Sequence, residues 1–356
     1  MKKLLSILLP FLLLTACGGG FNQTAPPTAG GNGNIQVYFS KPGTADADSY
    51  INGPEENLVA AIDSATTSID MAMYEFSLRN VMESLIAAWQ RGVQIRVLTD
   101  TDHIDWARFQ EMRDAGIPIR GDQRSSLMHN KFVIIDQQEV WTGSMNLTYN
   151  GAYRNRNNLI RLQNFQAAIN YNEEFNQLWQ GIHNQPNAAD NYFSIGATAV
   201  DIHFSPDDHF RSSRLLPLLQ QAQHTVHMLA FSFTSTAIAN ELLALRQQGV
   251  EVKIVVDSGQ SGQLSSLYDD LLAQNMDIRR DGQAFKMHHK VIIIDQRFIV
   301  SGSYNFSENA ESRNDENAVV IDNANIAQQF EQEFQDIYNR SMARPNVFKR
   351  LPDSKY

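Results

Sequence analysis

The chain has 356 residues, a hydrophobic content of 43% and a formal net charge of −10 at pH 7. This length exceeds one average domain and suits two of ordinary size, and the apolar content supports well-built cores. An acidic surface is repelled by phosphate polymers and by anionic lipid faces, so any recognition of phosphate must be local. The charge weakens a nucleic-acid interpretation without excluding it.

The first residues predict export. Lys2 and Lys3 precede an apolar run that begins at Leu4 and ends in the sequence LTAC, of which Cys17 is the last residue. The run is too short for a membrane span and ends in small residues, as a secretory signal does. Cys17 is the only cysteine of the chain. The segment resembles a bacterial lipoprotein signal, so we expect Cys17 to be acylated and to anchor the protein to a membrane.

A tether follows the signal, because the next residues are rich in Gly, Pro, Thr, Asn and Ala and offer almost nothing to bury. Cleavage removes Lys2 and Lys3 and changes the formal charge from −10 to −12. With Cys17 acylated, no disulfide can form within a monomer, so the fold rests on its apolar cores. Gly18 resembles the sorting signal of outer-membrane or cell-surface lipoproteins more than that of inner-membrane ones.

The rest of the chain repeats one unit. Residues 65–100 align without a gap with residues 222–257. Each copy predicts a strand, an amphipathic helix and a β-branched strand, and each half closes with a further helix. Apolar strands alternating with helices predict an α/β fold with sheets that are mixed, mainly parallel and flanked by helices. The expected segments are a signal peptide at 1–16, a tether at 17–34, a first half at 35–184, a linker at 185–198, a second half at 199–343 and a tail at 344–356.

The polar positions repeat together with the apolar ones. The sequence MHNKFVIID in the first half matches MHHKVIIID in the second, and each is followed by Gly-Ser-x-Asn. A histidine and a lysine two residues apart in extended backbone point the same way. Imidazole can act as a nucleophile or proton carrier near neutral pH, and lysine supplies positive charge for a phosphoryl oxygen. The candidate catalytic residues are His129, Lys131, Asp136, His288, Lys290 and Asp295, of which we expect the two aspartates to hold the strand ends.

This doubled pattern is similar to the signature of the phospholipase D superfamily, and the similarity covers nearly the whole mature chain. The resemblance implies two α/β lobes about a pseudo-twofold axis, with both motifs in one cleft. It also implies a covalent phosphohistidine intermediate, with no metal and no cofactor.

The resemblance further implies distinct roles for the matching residues. His129 would attack phosphorus and His288 would act as acid and base, an order that the internal symmetry leaves open. The two lysines, with Asn146 and Asn305, would hold the non-bridging oxygens. Ser144 and Ser303 would donate hydrogen bonds to the residues that contact the substrate.

One position breaks the symmetry. The resemblance implies a carboxylate that orients a catalytic histidine, and Glu316 provides it in the second half. The equivalent position in the first half is Asn157, which cannot stabilise an imidazolium by charge. Whether Glu316 serves the histidine of its own half or of the other half is open. Asp100 and Asp257 each end a predicted strand and could contact the substrate, but we expect them rather to cap the residues that follow their strands.

Three functions are compatible with these residues. Our first choice is hydrolysis of phospholipid head groups at a membrane by a monomer of two pseudo-symmetric halves. The alternative within the same fold is a nonspecific endonuclease, against which the acidic charge counts. A protein of a different class, a non-catalytic lipoprotein that binds phosphate, would be expected to have lost a histidine or lysine, and none is lost.

Glu75, which aligns with Ser232, is expected to be a paired acid, with a site-lining role as the other option.

Overall fold

A computed structural model describes residues 34–341. Cys17, the signal segment, nearly all of the tether and the tail at 344–356 lie outside the described residues, and their predictions stay predictions. The first half forms a seven-stranded sheet in the order β1-β7-β6-β5-β2-β3-β4. Its strands are β1 Asn34–Phe39, β2 Ser68–Met73, β3 Gln94–Thr99, β4 Ile119–Gly121, β5 Lys131–Ile135, β6 Glu139–Gly143 and β7 Asn158–Gln163. Its helices are α1 Ala45–Asp48, α2 Glu55–Ser64, α3 Arg79–Gln90, α4 Ala107–Asp114 and α5 Phe165–Gln180.

The second half repeats this order and adds one edge strand, giving β12-β11-β10-β13-β14-β15-β9-β8. The added strand β8 (Tyr192–Ile195) lies within the segment predicted as a linker. The other strands are β9 Thr198–Ser205, β10 Thr225–Ala230, β11 Glu251–Val256, β12 Asp277–Arg280, β13 Lys290–Ile294, β14 Phe298–Gly302 and β15 Glu316–Asp322. The helices are α6 Leu216–Leu219, α7 Thr236–Gln247, α8 Tyr268–Ala273, α9 Glu308–Ser312 and α10 Ala324–Arg340.

The predicted α/β class with two similar lobes is confirmed, and one detail of it is wrong. Only β2, β3 and β4, and likewise β10, β11 and β12, pair in parallel, while all the other strand pairs are antiparallel. The reason is a tight hairpin after each motif strand. Its two turn residues, Asp136-Gln137 or Asp295-Gln296, all have φ between 51° and 54°, as a type I′ turn requires.

The helices begin and end for local reasons that the sequence contains. In both long closing helices the preceding asparagine, Asn164 or Asn323, accepts hydrogen bonds from backbone N–H groups of the first turn. The helices α3 and α7 are each followed by a glycine, Gly92 or Gly249, with a positive φ of 95° or 94°. These caps set the direction in which the chain returns to the sheet.

The apolar residues form three cores arranged in layers. The central core contains inward side chains of both sheets together with those of α5 and α10, such as Phe132, Phe175, Ile293 and Phe334. The other two cores lie on the outer face of each sheet, under the helices of its own half. The halves therefore share one buried layer and pack as a unit. Within the described residues no helix is long and apolar enough to cross a bilayer.

Candidate active site

Both motifs lie where the two halves meet. The backbone N–H of His129 donates to the carbonyl of Asp315 at 2.9 Å, and that of His288 donates to the carbonyl of Arg156 at 2.9 Å. Each motif segment is therefore hydrogen-bonded to the other half, at the residues just before its last sheet strand. Two short parallel bridges, Met128 with Asp315 and Arg156 with Met287, continue this pairing. The two motif segments thus lie at one junction between the halves.

Glu316 orients the histidine of the opposite half. Its Oε2 lies 2.7 Å from Nδ1 of His129, and the glutamate is fully buried at the start of β15. In neutral His129 the proton then resides on Nδ1, where it is donated to the carboxylate, and Nε2 keeps its lone pair. Within the described part of the chain, Nε2 of His129 makes no hydrogen bond. The pairing that the sequence left open is thus between halves.

The second histidine has the same arrangement with an amide in place of the carboxylate. Nδ1 of His288 lies 2.9 Å from Oδ1 of Asn157. The amide orientation follows from its other contacts, because Ser144 Oγ donates to the same Oδ1 at 2.9 Å and Asn157 Nδ2 donates to the carbonyl of Gly151 at 2.9 Å. His288 therefore donates from Nδ1 and also presents Nε2 as its free nitrogen.

The two lysines are buried beside their histidines. Lys131 Nζ donates to the carbonyl of His129 at 2.6 Å, and Lys290 Nζ donates to that of His288 at 2.9 Å. The lysines are only 2% and 1% exposed, and neither forms an ion pair among the described residues. Burial lowers the pKa of Lys131 to about 8, and burial together with the charge of Lys131 holds the pKa of Lys290 well below its usual value.

The electrostatics of the site favour an anion. Burial, and after it the positive charges of Lys290 and Lys131, hold the pKa of His288 well below the ordinary histidine value. Burial also lowers the pKa of His129, although Glu316 opposes the shift. Buried cations that lack anionic partners are costly unless a ligand supplies the charge. A phosphate group would supply it and would raise these depressed pKa values.

The glycine of each Gly-Ser-x-Asn segment allows a close approach of two strands. Gly143 has a φ of 138°, and a Cβ there would lie 2.5 Å from the carbonyl oxygen of Asn158. The following serines hold the same strands, since Ser144 Oγ accepts from the N–H of Asn158 at 3.1 Å and Ser303 Oγ accepts from that of Asn317 at 2.9 Å. Ser144 also donates to the histidine-orienting Asn157, whereas among the described residues Ser303 accepts from Asn317 only, so the predicted donor role is seen for Ser144 alone.

The two asparagines of these segments are not equivalent. Asn146 Nδ2 donates to Oε2 of Glu75 at 2.6 Å, so Glu75 is a paired acid, as expected. Among the described residues the side chain of Asn305 has no such partner. Each asparagine has a buried Oδ1 without a hydrogen bond. Asn305 therefore has its amide group available for a ligand, whereas the amide of Asn146 is held by a carboxylate.

Asp136 and Asp295 lie at the far ends of β5 and β13 from the histidines. Asp136 accepts from the backbone N–H groups of Thr66, Thr67 and Ser68, and Asp295 from those of residues 223–225. Burial raises the pKa of Asp136, but these hydrogen bonds outweigh it and lower the pKa to about 2. Both aspartates therefore hold the hairpins and take no direct part in the chemistry, because four strand residues separate each of them from its motif lysine.

Two further pairs of residues were missed as parts of the site. Asp100 and Asp257 cap the turns after their strands as predicted, but each also accepts from the N–H before its motif histidine, from Met128 at 3.1 Å and from Met287 at 3.0 Å. Their position at the same point of both repeats was the signal. The other missed pair, Asn158 and Asn317, bonds to motif residues across the halves, to His289 at 3.0 Å and to Asn130 at 2.9 Å.

The arrangement can support displacement at phosphorus. Two imidazoles have their Nδ1 fixed and their Nε2 unbonded, and two ammonium groups provide charge for the oxygens of an anion between them. Across residues 34–341 no cluster of three or more His, Cys, Asp or Glu side chains is arranged to hold a metal ion. The groups that could act on a substrate are thus the histidines, lysines and asparagines themselves.

Comparison with known proteins agrees with this geometry. The family model described as "Cardiolipin synthase, PLD-like domain" matches residues 58–179 and again residues 215–338. The mitochondrial cardiolipin hydrolase of Xenopus tropicalis is 33% identical over 118 residues, which cover 33% of this chain and 56% of that protein. A phospholipase D of Rickettsia prowazekii is 29% identical over 147 residues, or 40% of this chain and 71% of that one. The chain thus spans about half the length of the cardiolipin hydrolase it matches.

A solved structure shows that the two-lobed architecture recurs as a whole. Phosphatidylserine synthase from Haemophilus influenzae superposes with a TM-score of 0.65 and covers 86% of this chain and 87% of its own. Its sequence identity is 13%, so the likeness concerns the fold alone.

Proposed function

The chain belongs to the phospholipase D superfamily, and from that premise we propose that it is a phosphodiesterase with one active site built from both halves. The observation that carries the proposal is the crossed pairing, in which each half orients the other half's histidine. Such pairing has no value for packing alone, since it buries four polar side chains beside two unpaired lysines. The pairing supports a site in which two imidazoles and two cations act on one anion.

In the proposed mechanism, Nε2 of His129 attacks phosphorus while the bond to the leaving oxygen breaks. Protonated His288 gives its proton to that oxygen, so an alcohol departs and a phosphohistidine remains. Water then attacks phosphorus, His288 accepts its proton, and His129 is released. Glu316 supports this order of roles, because its charge stabilises the positive imidazole that forms as the nitrogen–phosphorus bond is made. Asn157 offers no such charge to His288.

We propose phospholipids as the substrates. The matched relatives include a cardiolipin hydrolase and a phospholipase D, and the predicted lipid at Cys17 would hold the enzyme at a membrane. Metal independence belongs to the same proposal, since the lysines provide the charge that a metal would otherwise supply to the oxygens.

The test is a single panel of substrates with the purified protein. Phospholipid vesicles, plasmid DNA and bis(p-nitrophenyl) phosphate are assayed with EDTA present throughout. We expect cleavage of lipid and aryl diester in EDTA, and a loss of at least ~10²-fold in His129→Ala and in His288→Ala. The proposal of a metal-free phospholipase fails if EDTA abolishes activity and one metal restores it, or if DNA is cleaved and lipid is not. Either histidine variant retaining most activity with an intact fold would contradict the shared site.

A further inference from the structure

The two halves differ at one pair of equivalent positions beside the histidines. Strand β2 is followed by Tyr74-Glu75, and β10 is followed by Phe231-Ser232. The ring centroid of Tyr74 lies 4.9 Å from that of His129, and that of Phe231 lies 4.5 Å from that of His288. The motif lysine lies over the same ring in each half, at 5.2 Å and 4.8 Å. The placement is the same, so the difference is one hydroxyl and one carboxylate.

The hydroxyl oxygen of Tyr74 is free to accept a hydrogen bond from a ligand. Tyr74 is partly exposed, and among the described residues its hydroxyl makes no hydrogen bond. Burial, and after it the charges of four neighbouring carboxylates, raise the pKa of Tyr74 above its usual value. The phenol therefore stays protonated at all working pH values. The carboxylates are those of Glu75, Asp100, Asp102 and Glu316.

One of the two carboxylate oxygens of Glu75 has a hydrogen-bond partner and the other has none among the described residues. Its Oε2 accepts from Asn146 at 2.6 Å, while within the described residues Oε1 has no hydrogen bond. The side chain is partly exposed, so one carboxylate oxygen is accessible beside a proposed phosphate-binding asparagine. Buried Glu316 nearby also has an Oε1 without a partner. The negative charges of both glutamates act on Lys131, so both unused acceptors lie in the part of the site around that lysine.

Most of the positions around Phe231 that correspond to these four carboxylates carry no acidic residue. Equivalent hydrogen bonds show which residues of the two halves correspond after β3 and β11: Thr101 N–H donates to Asp122, and Ser258 N–H donates to Asp281. Only Asp100 has an acidic counterpart. The residues at the four corresponding positions are Ser232, Asp257, Gly259 and, from the first half, Asn157. One wall of the site therefore carries three more negative charges than the other.

Aromatic rings extend the acidic wall towards the surface. The ring of His103 lies 4.5 Å from that of Tyr74, and the ring of Trp106 lies 4.6 Å from that of His103. Both side chains are partly exposed. A wall that combines aromatic rings with carboxylates attracts an ammonium group, through the ring quadrupole and through direct charge. A polyanion would be repelled from it.

We propose that Tyr74 and Glu75, with Asp102, His103 and Trp106, form a subsite for a positively charged group next to the scissile phosphate. The proposal rests on the proposed phosphodiesterase function and names its substrate class: a zwitterionic phosphodiester whose alcohol is an amino alcohol. The lysines at the centre match the phosphate, and the acidic wall matches the ammonium group. In this site Tyr74 and Glu75 determine specificity.

The test compares lipids that differ in head-group charge. Vesicles of one diluent lipid carry equal mole fractions of phosphatidylethanolamine or phosphatidylglycerol, and wild type is compared with Glu75→Gln, which keeps an acceptor for Asn146. We expect wild type to favour phosphatidylethanolamine, and Glu75→Gln to reduce the ratio of the two kcat/KM values about ten-fold through loss of a close charge. The matched control Glu83→Gln removes an exposed carboxylate of α3 and should leave the ratio unchanged.

The outcomes separate this inference from the proposed function. If wild type cleaves bis(p-nitrophenyl) phosphate but prefers phosphatidylglycerol, or if Glu75→Gln leaves the ratio unchanged, the subsite is overturned and the phosphodiesterase stands. If no diester is cleaved at all, the proposed function fails first. Tyr74→Phe, which reproduces Phe231 of the other half, provides a second variant that should shift the ratio in the same direction.

Discussion

Glu316 and Asn157 occupy equivalent places and bind equivalent nitrogens, yet only one of them carries charge. A carboxylate at hydrogen-bond distance favours the imidazolium form of its partner, and an amide does not. The free Nε2 of His129 can therefore accept a phosphoryl group with the resulting positive charge balanced. His288 lies among positive charges that lower its pKa, so its protonated form gives up the proton easily.

Removal of the charge at Glu316 should change the pH dependence. Glu316 raises the pKa of His129 against the effect of burial, so in Glu316→Gln that pKa falls. Because attack requires neutral His129, the acidic limb of the kcat/KM profile should move to lower pH while maximal turnover falls. A pH–rate profile of the variant measures both effects. Asn157→Ala, which removes no charge, should affect turnover less; an unmoved limb in Glu316→Gln, or a larger loss in Asn157→Ala, would contradict the assignment.

Among single residues, the sequence identifies those that carry the chemistry but not the partners that they contact. His129, Lys131, His288 and Lys290 are identifiable because a polar pattern that repeats with its offsets has no explanation in packing. The partner of Glu316 is not identifiable, because pairing within one half and pairing between halves differ only in how the lobes dock. The same reason explains why Asn158 and Asn317 were missed: their partners lie across the contact between halves.

At the scale of elements, the hairpin after each motif strand fixes the register on which the site depends. The aspartate of the turn accepts from three backbone N–H groups at the start of a strand that lies three strands earlier in the sequence. It thereby joins β5 to β2 and β13 to β10. The sequence predicts the strands but not their direction. An Asp-Gln pair is a weak signal for a type I′ turn compared with Asn-Gly or Asp-Gly, so antiparallel return was not foreseen.

Asp136→Asn should destabilise the fold more than it impairs chemistry. Loss of the charge weakens three hydrogen bonds and should lower the free energy of unfolding by about 1–3 kcal/mol at pH 7. The pKa of Asp136 is depressed in the folded state, so its stabilising contribution is complete above the unfolded value of about 3.9 and is lost as the pH falls through about 2. The difference between variant and wild type should shrink over that range.

Urea unfolding at several pH values measures this difference, with the exposed Asp48→Asn as a control. At permissive temperature the loss of turnover should stay far below the ~10²-fold expected for a catalytic histidine. A stable Asp136→Asn protein with histidine-like loss of activity would place Asp136 in the chemistry after all.

At the scale of the whole molecule, the shared layer of α5 and α10 makes the two lobes one unit. The helix α5 contacts β9 of the other half, and α10 contacts β1. The rings of Phe39 and Phe330 pack across this contact, with their centroids 5.1 Å apart. The repeat predicts two lobes of the same order, but the residues that bring them together are ordinary apolar side chains. Nothing in their pattern distinguishes a core shared by two lobes from a core within one.

Attachment to a membrane is predicted to depend on Cys17, which lies outside the described residues. Cys17→Ser should abolish acylation, so the protein remains an unprocessed precursor or is released from membranes, because acyl chains supply the attachment. Fractionation of cells that express each form, with metabolic labelling by a fatty acid, measures this. Normal membrane retention of the unlabelled variant would show that another feature holds the protein.

The proposed mechanism requires that one phosphohistidine forms per chain, at His129. The most direct measurement is to quench wild-type protein during turnover at alkaline pH, digest it with trypsin and locate the adduct by mass spectrometry. Trypsin separates the two histidines, because His129 lies in SSLMHNK and His288 in MHHK. We expect at most one adduct per chain, found on SSLMHNK and absent from His129→Ala. Adducts on both peptides of one chain, on MHHK alone, or on no histidine while diester is being cleaved would contradict this mechanism.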